Sequence, residues 1–121
     1  MADKKKFIIG SRGSKLSLAY SGHVKNLLLK SNPQFDDNSI EIKIIKTSGD
    51  IFQNKRISDI GGKGVFCKQI EEELLEYKID LAVHSLKDLP TKMTEGLTVD
   101  AVVKRNDPTD AFLSHSNKYF K

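Results

Sequence analysis

Apolar and polar positions alternate along this chain in blocks with different periods, and the blocks predict its elements in order. Phe7-Ile8-Ile9-Gly10 is a short apolar run closed by glycine, which predicts a buried first strand. Leu16, Ala19, Tyr20, Val24, Leu27 and Leu28 then recur at steps of three and four, the spacing of one helix face, with Ser14 placed to cap its start and Ser31-Asn32-Pro33 to end it. Ile40-Glu41-Ile42-Lys43-Ile44 changes to a period of two and predicts a strand with one buried and one polar face, ended by Thr47-Ser48-Gly49-Asp50. Residues 50–64 hold no sustained period and read as a mobile loop. From Val65 a helical period returns through Phe66, Ile70, Leu74 and Tyr77, with Glu71, Glu72 and Glu76 on the outer side and Lys78 near the end. Asp80-Leu81-Ala82-Val83-His84 and residues 97–103 predict two further strands, and the polar stretch 104–108 separates the latter from the apolar residues 111–113. Strand and helix in alternation predict an α/β fold with a mainly parallel sheet flanked by helices.

The length of 121 residues allows one domain. No run approaches the roughly 18 apolar residues of a membrane helix, and Met1-Ala2-Asp3-Lys4-Lys5-Lys6 leads into a short strand rather than a signal-peptide core, so a cytoplasmic protein with no membrane contact is expected. The net charge of +4 is mild, and the basic residues are interspersed with acids rather than interleaved with aromatics, so no nucleic-acid groove is expected. Cys67 is the single cysteine and reads as a half-buried small hydrophobe within the second helix. No metal site is expected.

Three segments carry candidate chemistry, and all three are expected where a parallel sheet presents its carboxyl ends, the place where open sheets gather ligands. Gly10-Ser11-Arg12-Gly13-Ser14 brings backbone N–H groups and a guanidinium to a strand-to-helix turn that suits a carboxylate or phosphate; a helix cap beside a solvated arginine is the plainer alternative. Gly61-Gly62-Lys63-Gly64 puts an ammonium among glycines before a helix, either as a second anion contact or as a simple flexible loop, and it lacks the spacing of a nucleotide P-loop. His84-Ser85-Leu86-Lys87-Asp88-Leu89-Pro90 crowds polar groups at a strand end. No nucleophile elbow is present, so a hydrolase triad is rejected. Asp88 could meet a substrate N–H and stabilise a cation while Lys87 grips an anionic arm, or the two could form a surface ion pair.

These segments resemble the porphobilinogen deaminase family in order and spacing, over roughly residues 7–114. The resemblance lies in Gly-Ser-Arg-Gly-Ser-Lys-Leu at 10–16, Thr-Ser-Gly-Asp at 47–50, Gly-Gly-Lys-Gly-Val-Phe at 61–66, Val-His-Ser-Leu-Lys-Asp-Leu-Pro at 83–90 and Arg-Asn-Asp-Pro-Thr-Asp-Ala-Phe at 105–112. It implies a transferase, hydroxymethylbilane synthase, which joins four porphobilinogen molecules into a linear tetrapyrrole of haem biosynthesis with release of ammonia. It implies a dipyrromethane cofactor, held by a cysteine of a C-terminal domain absent from this chain; Cys67 does not match that cysteine. It assigns Asp88 as the catalytic group, Arg12, Ser14, Lys63, Ser85 and Lys87 as substrate and cofactor contacts, and residues 48–62 as a lid that Asp50 could hinge. Tyr20 and Lys15 depart from the family, where glutamine and proline are common.

The implied fold is a periplasmic-binding-protein-like domain of type II, with residues 1–103 as an incomplete N-terminal catalytic domain and 104–121 as a crossover and the first strand of a second domain. The partners implied are porphobilinogen and the growing oligopyrrole, with a monomeric full-length enzyme. A fragment ending at residue 121 is expected to be inactive, and its orphan strand at 110–114 to be disordered or to pair with another molecule. The alternative from a different class is a non-catalytic small-anion-binding module on the same fold, which has no need of an acid aimed at a ligand N–H.

Overall fold

The computed structural model describes residues 5–51 and 66–105. Its elements run β1 (Phe7–Ser11), α1 (Lys15–Ser31), β2 (Ile40–Ile44), a helical turn α2 (Ser48–Ile51), α3 (Lys68–Leu75) and β3 (Leu81–Ala82), with short 3-10 turns at Asp37–Ser39 and Leu86–Asp88. The sheet order is β2-β1-β3 and both pairings are parallel. The α/β expectation holds in this form.

Successive residues of β1 point to opposite faces. Ile8 packs against the cluster of Ile45, Ile70 and Ile79, together with Leu74 and Ala82, on the face that α3 covers. Gly10 lies on that same face, where a Cβ would run into the Ile79 side chain and stand 3.1 Å from the Ile45 Cδ1, so a larger residue would have to displace the end of the Ile79 side chain. Ile9 and Ser11, both fully buried, are left for the face under α1, which packs on β1 and β2. β3 is fastened at its start by Asp80, whose N–H donates to the Ile8 carbonyl at 2.8 Å and whose Oδ2 accepts the Ile8 N–H at 2.8 Å.

Several expectations need correction. The inner side of α1 carries Leu18, Ser21, Val24, Leu28 and Leu29, while Leu16, Ala19, Tyr20 and Leu27 of the predicted face are exposed. Small, fully buried Ser21 marks the line where the helix comes close to the sheet, and apolar residues on either side of that line turn outward. In β2, Ile40 is buried but Ile44 is exposed; the buried position passes to Ile45, whose N–H donates to the Ser11 carbonyl. Thr47–Asp50 leads into the helical turn α2 instead of merely ending the strand. The strand predicted over 80–84 is ladder-paired only at Leu81 and Ala82. Residues 97–103 form no strand: Val99, Val102 and Val103 are exposed, and among the described residues no neighbouring strand offers them a ladder. The predicted orphan strand at 110–114 and most of the predicted lid, 52–62, lie outside the described residues.

α3 starts later and ends earlier than its pattern implied. Cys67 stands just before it as the N-cap and is fully rather than half buried. At the other end Lys78 N–H donates to the Glu73 carbonyl and Tyr77 N–H to that of Leu74, a Schellman closure that throws Tyr77 into the left-handed region at φ 57°. Tyr77 therefore leaves the buried face and is 88% exposed. A side chain with a Cβ is strained there, so Tyr77→Gly is expected to raise stability by about 1 kcal/mol. A urea midpoint that falls would show that the exposed ring makes contacts outweighing the strain.

Candidate active site

In this sheet the chain leaves β1 toward β2 on one side and returns to β3 on the other, so the crevice between the ends of β1 and β3 is a topological switch point. A cleft of about 210 Å³ lies in this region, lined by Arg12 and Ser14 after β1, Leu16, Ser17 and Tyr20 of α1, Phe66, and Val83, His84, Ser85, Lys87 and Asp88 after β3. The structure thus brings together Arg12, Ser14, Ser85, Lys87 and Asp88 of the predicted set. Lys63 lies outside the described residues.

Ser14 caps α1: its Oγ accepts the Ser17 N–H at 3.2 Å and donates to the Ser17 Oγ at 2.9 Å. Arg12 is not a solvated arginine. Its Nη2 donates to Asp50 Oδ1 at 2.6 Å and its Nε lies 3.2 and 3.3 Å from the two carboxylate oxygens. Its guanidinium carbon sits 4.1 Å from the centre of the Phe66 ring. Of the five N–H donors of an arginine, those on Nη1 and one on Nη2 have no hydrogen-bond partner among the described residues.

Asp50, placed by sequence as a lid hinge, is the partner that orients Arg12. Thr47 Oγ1 donates to its Oδ2 at 2.8 Å and the Thr47 N–H at 3.3 Å. Burial alone would raise this carboxyl, but the Arg12 and Thr47 hydrogen bonds and the Arg12 charge hold it below its ordinary value. Because the folded carboxyl ionises more readily than the unfolded one, its stabilising effect is complete above about pH 4 and is lost as the pH falls from there toward the folded value. Asp50→Asn is therefore expected to lower stability at neutral pH and to flatten the acid limb below pH 4. Urea midpoints measured against pH check this, and an unchanged acid slope would count against the pair.

Asp88 ends a 3-10 turn closed by its N–H to the Ser85 carbonyl at 2.9 Å. The buried Cys67 thiol donates to the Asp88 carbonyl at 2.8 Å, tying the turn to the start of α3. Among the described residues no side-chain hydrogen bond or ion pair occupies the Asp88 carboxylate, and Lys87 forms no ion pair with it. The surface ion pair considered from sequence is not formed. Beside it, burial pushes the His84 imidazole down against the opposing charges of Asp88 and Glu71, so His84 is neutral at neutral pH.

Burial, with the Glu71 and Asp88 charges, pushes the Cys67 thiol up to about 11. At pH 8 about one such thiol in a thousand is ionised, and iodoacetamide is expected to label Cys67 only when the chain opens. Labelling of the folded protein at the unfolded rate would mean that the thiol is not held against Asp88.

Phe66 and Ser17 line the cleft without having been singled out from sequence as site residues. Gln69 joins α3 to α2 by accepting the Ser48 N–H at 3.1 Å and donating to its hydroxyl at 2.8 Å. The glycine-rich segment that precedes Phe66 drew attention to Lys63 instead.

Fold and cleft together define an α/β protein with a switch-point site that pairs cationic and hydroxyl groups with a carboxylate, Asp88, uncommitted among the described residues. Comparison with known proteins narrows this class. The family model described as "Porphobilinogen deaminase, dipyromethane cofactor binding domain" matches residues 7–121, and the chain belongs to the porphobilinogen deaminase family. Among its relatives, the porphobilinogen deaminase of a Wolbachia from Drosophila simulans is 52% identical over 109 residues, covering 90% of this chain and 36% of that protein. That of Syntrophomonas wolfei is 50% identical, covering 90% and 35%, and that of Ehrlichia chaffeensis 50% identical, covering 93% and 37%. The chain thus spans little more than a third of the length of these relatives. No helix among the described residues is long and apolar enough to cross a membrane, and no cluster of metal-ligating side chains occurs among them.

Proposed function

We propose that this chain carries the catalytic carboxylate of a hydroxymethylbilane synthase, on a domain of the periplasmic-binding-protein type spanning residues 1–103, with 104–121 crossing to a second domain. The observation that carries the reading is the Asp88 carboxylate, free of side-chain partners among the described residues and anchored through its backbone, in a cleft that it shares with Arg12, Lys87, the His84 imidazole and several hydroxyls.

Porphobilinogen has a pyrrole N–H, two carboxylate arms and an aminomethyl group. The donor set suits it: Arg12 and Lys87, with Ser85 and Lys63, take the arms, and Asp88 takes the N–H. Ser14 acts mainly through the helix start, since its hydroxyl is engaged with Ser17. Loss of ammonia leaves an electron-poor azafulvene, and the Asp88 carboxylate stabilises the positive charge spread onto the ring nitrogen. The free α-carbon of the acceptor pyrrole then forms the new C–C bond and loses its proton, which Asp88 is placed to manage. Four porphobilinogen molecules and one water give hydroxymethylbilane and four ammonia. A dipyrromethane cofactor offers this site the same chemistry of ring N–H and carboxylates; it would rest on Asp88, Lys87, Ser85 and Arg12 and, when bound, supply the first acceptor pyrrole. No step requires a metal.

The test is to incubate porphobilinogen with a polypeptide of the relatives' full length that carries this sequence. One ammonia per porphobilinogen consumed, with a linear tetrapyrrole as product, is expected. Binding without ammonia release would reduce the site to a small-anion receptor.

A further inference from the structure

The polar groups of the cleft account for carboxylate arms and a ring N–H, but they leave its apolar lining unexplained. Leu16 and Tyr20 stand one turn apart on α1, 61% and 41% exposed, and both line the cleft. They do not serve the core, because α1 turns Leu18, Ser21, Leu28 and Leu29 inward. The other aromatic lining the cleft, Phe66, already has the Arg12 guanidinium over its ring. Among the described residues Tyr20 has neither an aromatic nor a cationic partner. A site built only for anions gains nothing from an open aromatic and a leucine beside its cations. A flat ring carrying carboxylates uses both kinds of lining at once.

We propose that Tyr20, backed by Leu16, is the specificity-determining wall of the cleft, against which a pyrrole ring stacks while its carboxylate arms reach the basic groups. This rests on the reading of the site as one for pyrroles. The ring of Tyr20, with two side-chain torsions, offers a broad face at small entropic cost, and aromatic pairs prefer the offset stacking that an open cleft wall permits.

Steady-state kinetics of the full-length enzyme test it. Tyr20→Leu removes the ring but keeps apolar bulk, and is expected to raise KM for porphobilinogen about tenfold while kcat stays within about twofold. Tyr20→Phe keeps the ring and is expected to retain most of the affinity. Inhibition by glutarate, which has two carboxylates and no ring, should be the same in Tyr20→Leu and in the unaltered enzyme. An unchanged KM in Tyr20→Leu overturns the proposal, and so does a Tyr20→Phe enzyme as impaired as Tyr20→Leu, which would give the role to the hydroxyl.

A second measurement separates this proposal from the reaction it assumes. In an Asp88→Asn background, with tyrosine ring labels, titration with porphobilinogen should shift the Tyr20 ring protons upfield. A saturable shift in this background, when the enzyme with Asp88 intact releases no ammonia, would keep the wall and remove the reaction. Turnover by the enzyme with Asp88 intact, with no shift at Tyr20 in the variant, would keep the reaction and remove the wall.

Discussion

If the proposed reading of the site holds, replacing Asp88 by asparagine in a full-length protein that carries this sequence is expected to lower kcat for porphobilinogen by about 100- to 1,000-fold, the range found when one preorganised electrostatic contact to a developing charge is lost. The change is nearly isosteric, so what it removes is the charge and the capacity to accept a proton. An amide turned toward a pyrrole N–H also risks setting donor against donor. Binding should suffer less, because the groups suited to the carboxylate arms, Arg12, Ser85 and Lys87, are untouched, and KM is expected to stay within a few fold. The backbone anchor is untouched as well: the Cys67 thiol donates to the Asp88 carbonyl rather than to its side chain. Protection of Cys67 from alkylation therefore serves as a check that the turn is intact in the variant. Loss of activity with the thiol protected supports the electrostatic role. Full activity would move the catalysis to another group and leave Asp88 as a carboxylate at the cleft edge.

Much of this site was legible because its parts are local. An apolar strand that breaks into Ser85, Lys87 and Asp88 before Pro90 announces polar groups at a strand end, and Ser14 ahead of a helical period announces a cap; both stand where the sequence placed them. The Arg12 clamp was not legible, since it joins Arg12 to Asp50 across 38 positions and to Phe66, and nothing in residue order says that these meet. The roll of α1 was hidden for another reason. Its sequence carries apolar residues on two sides, one for the sheet and one for the cleft, and a period of 3.6 finds a face without saying what the face is for. The segment 97–103 shows the limit of strand propensity: a stretch with three valines becomes a strand only where a partner supplies a ladder. The extent of α3 was misread because its closing residue, Tyr77, continues the apolar spacing although its backbone has already left the helix.

The clamp around Arg12 also exposes a weak point, Gly49. This buried glycine of α2 lies against the Phe66 ring, and a Cβ there would overlap the ring edge, with Cζ at 2.7 Å and Cδ1 and Cε1 nearer still. Gly49→Ala therefore leaves two ways out. If the Phe66 ring swings away, Arg12 loses the ring beneath its guanidinium. If the α2 turn moves instead, the Ser48–Gln69 hydrogen bonds and the Asp50–Arg12 pair are drawn out of geometry. Overpacking in a tight interior costs about 1–3 kcal/mol, and because either route also breaks polar contacts, Gly49→Ala should fall at the upper end of that range. Reducing the ring should relieve it: Phe66→Leu alone is expected to be destabilising, yet in the Gly49→Ala background it should cost less or even restore stability. A double-mutant cycle of urea midpoints measures this coupling, which contacting residues show at about 0.5–3 kcal/mol. Strict additivity of the two changes, or a Gly49→Ala protein as stable as the original, would mean that the Phe66 ring does not rest on Gly49.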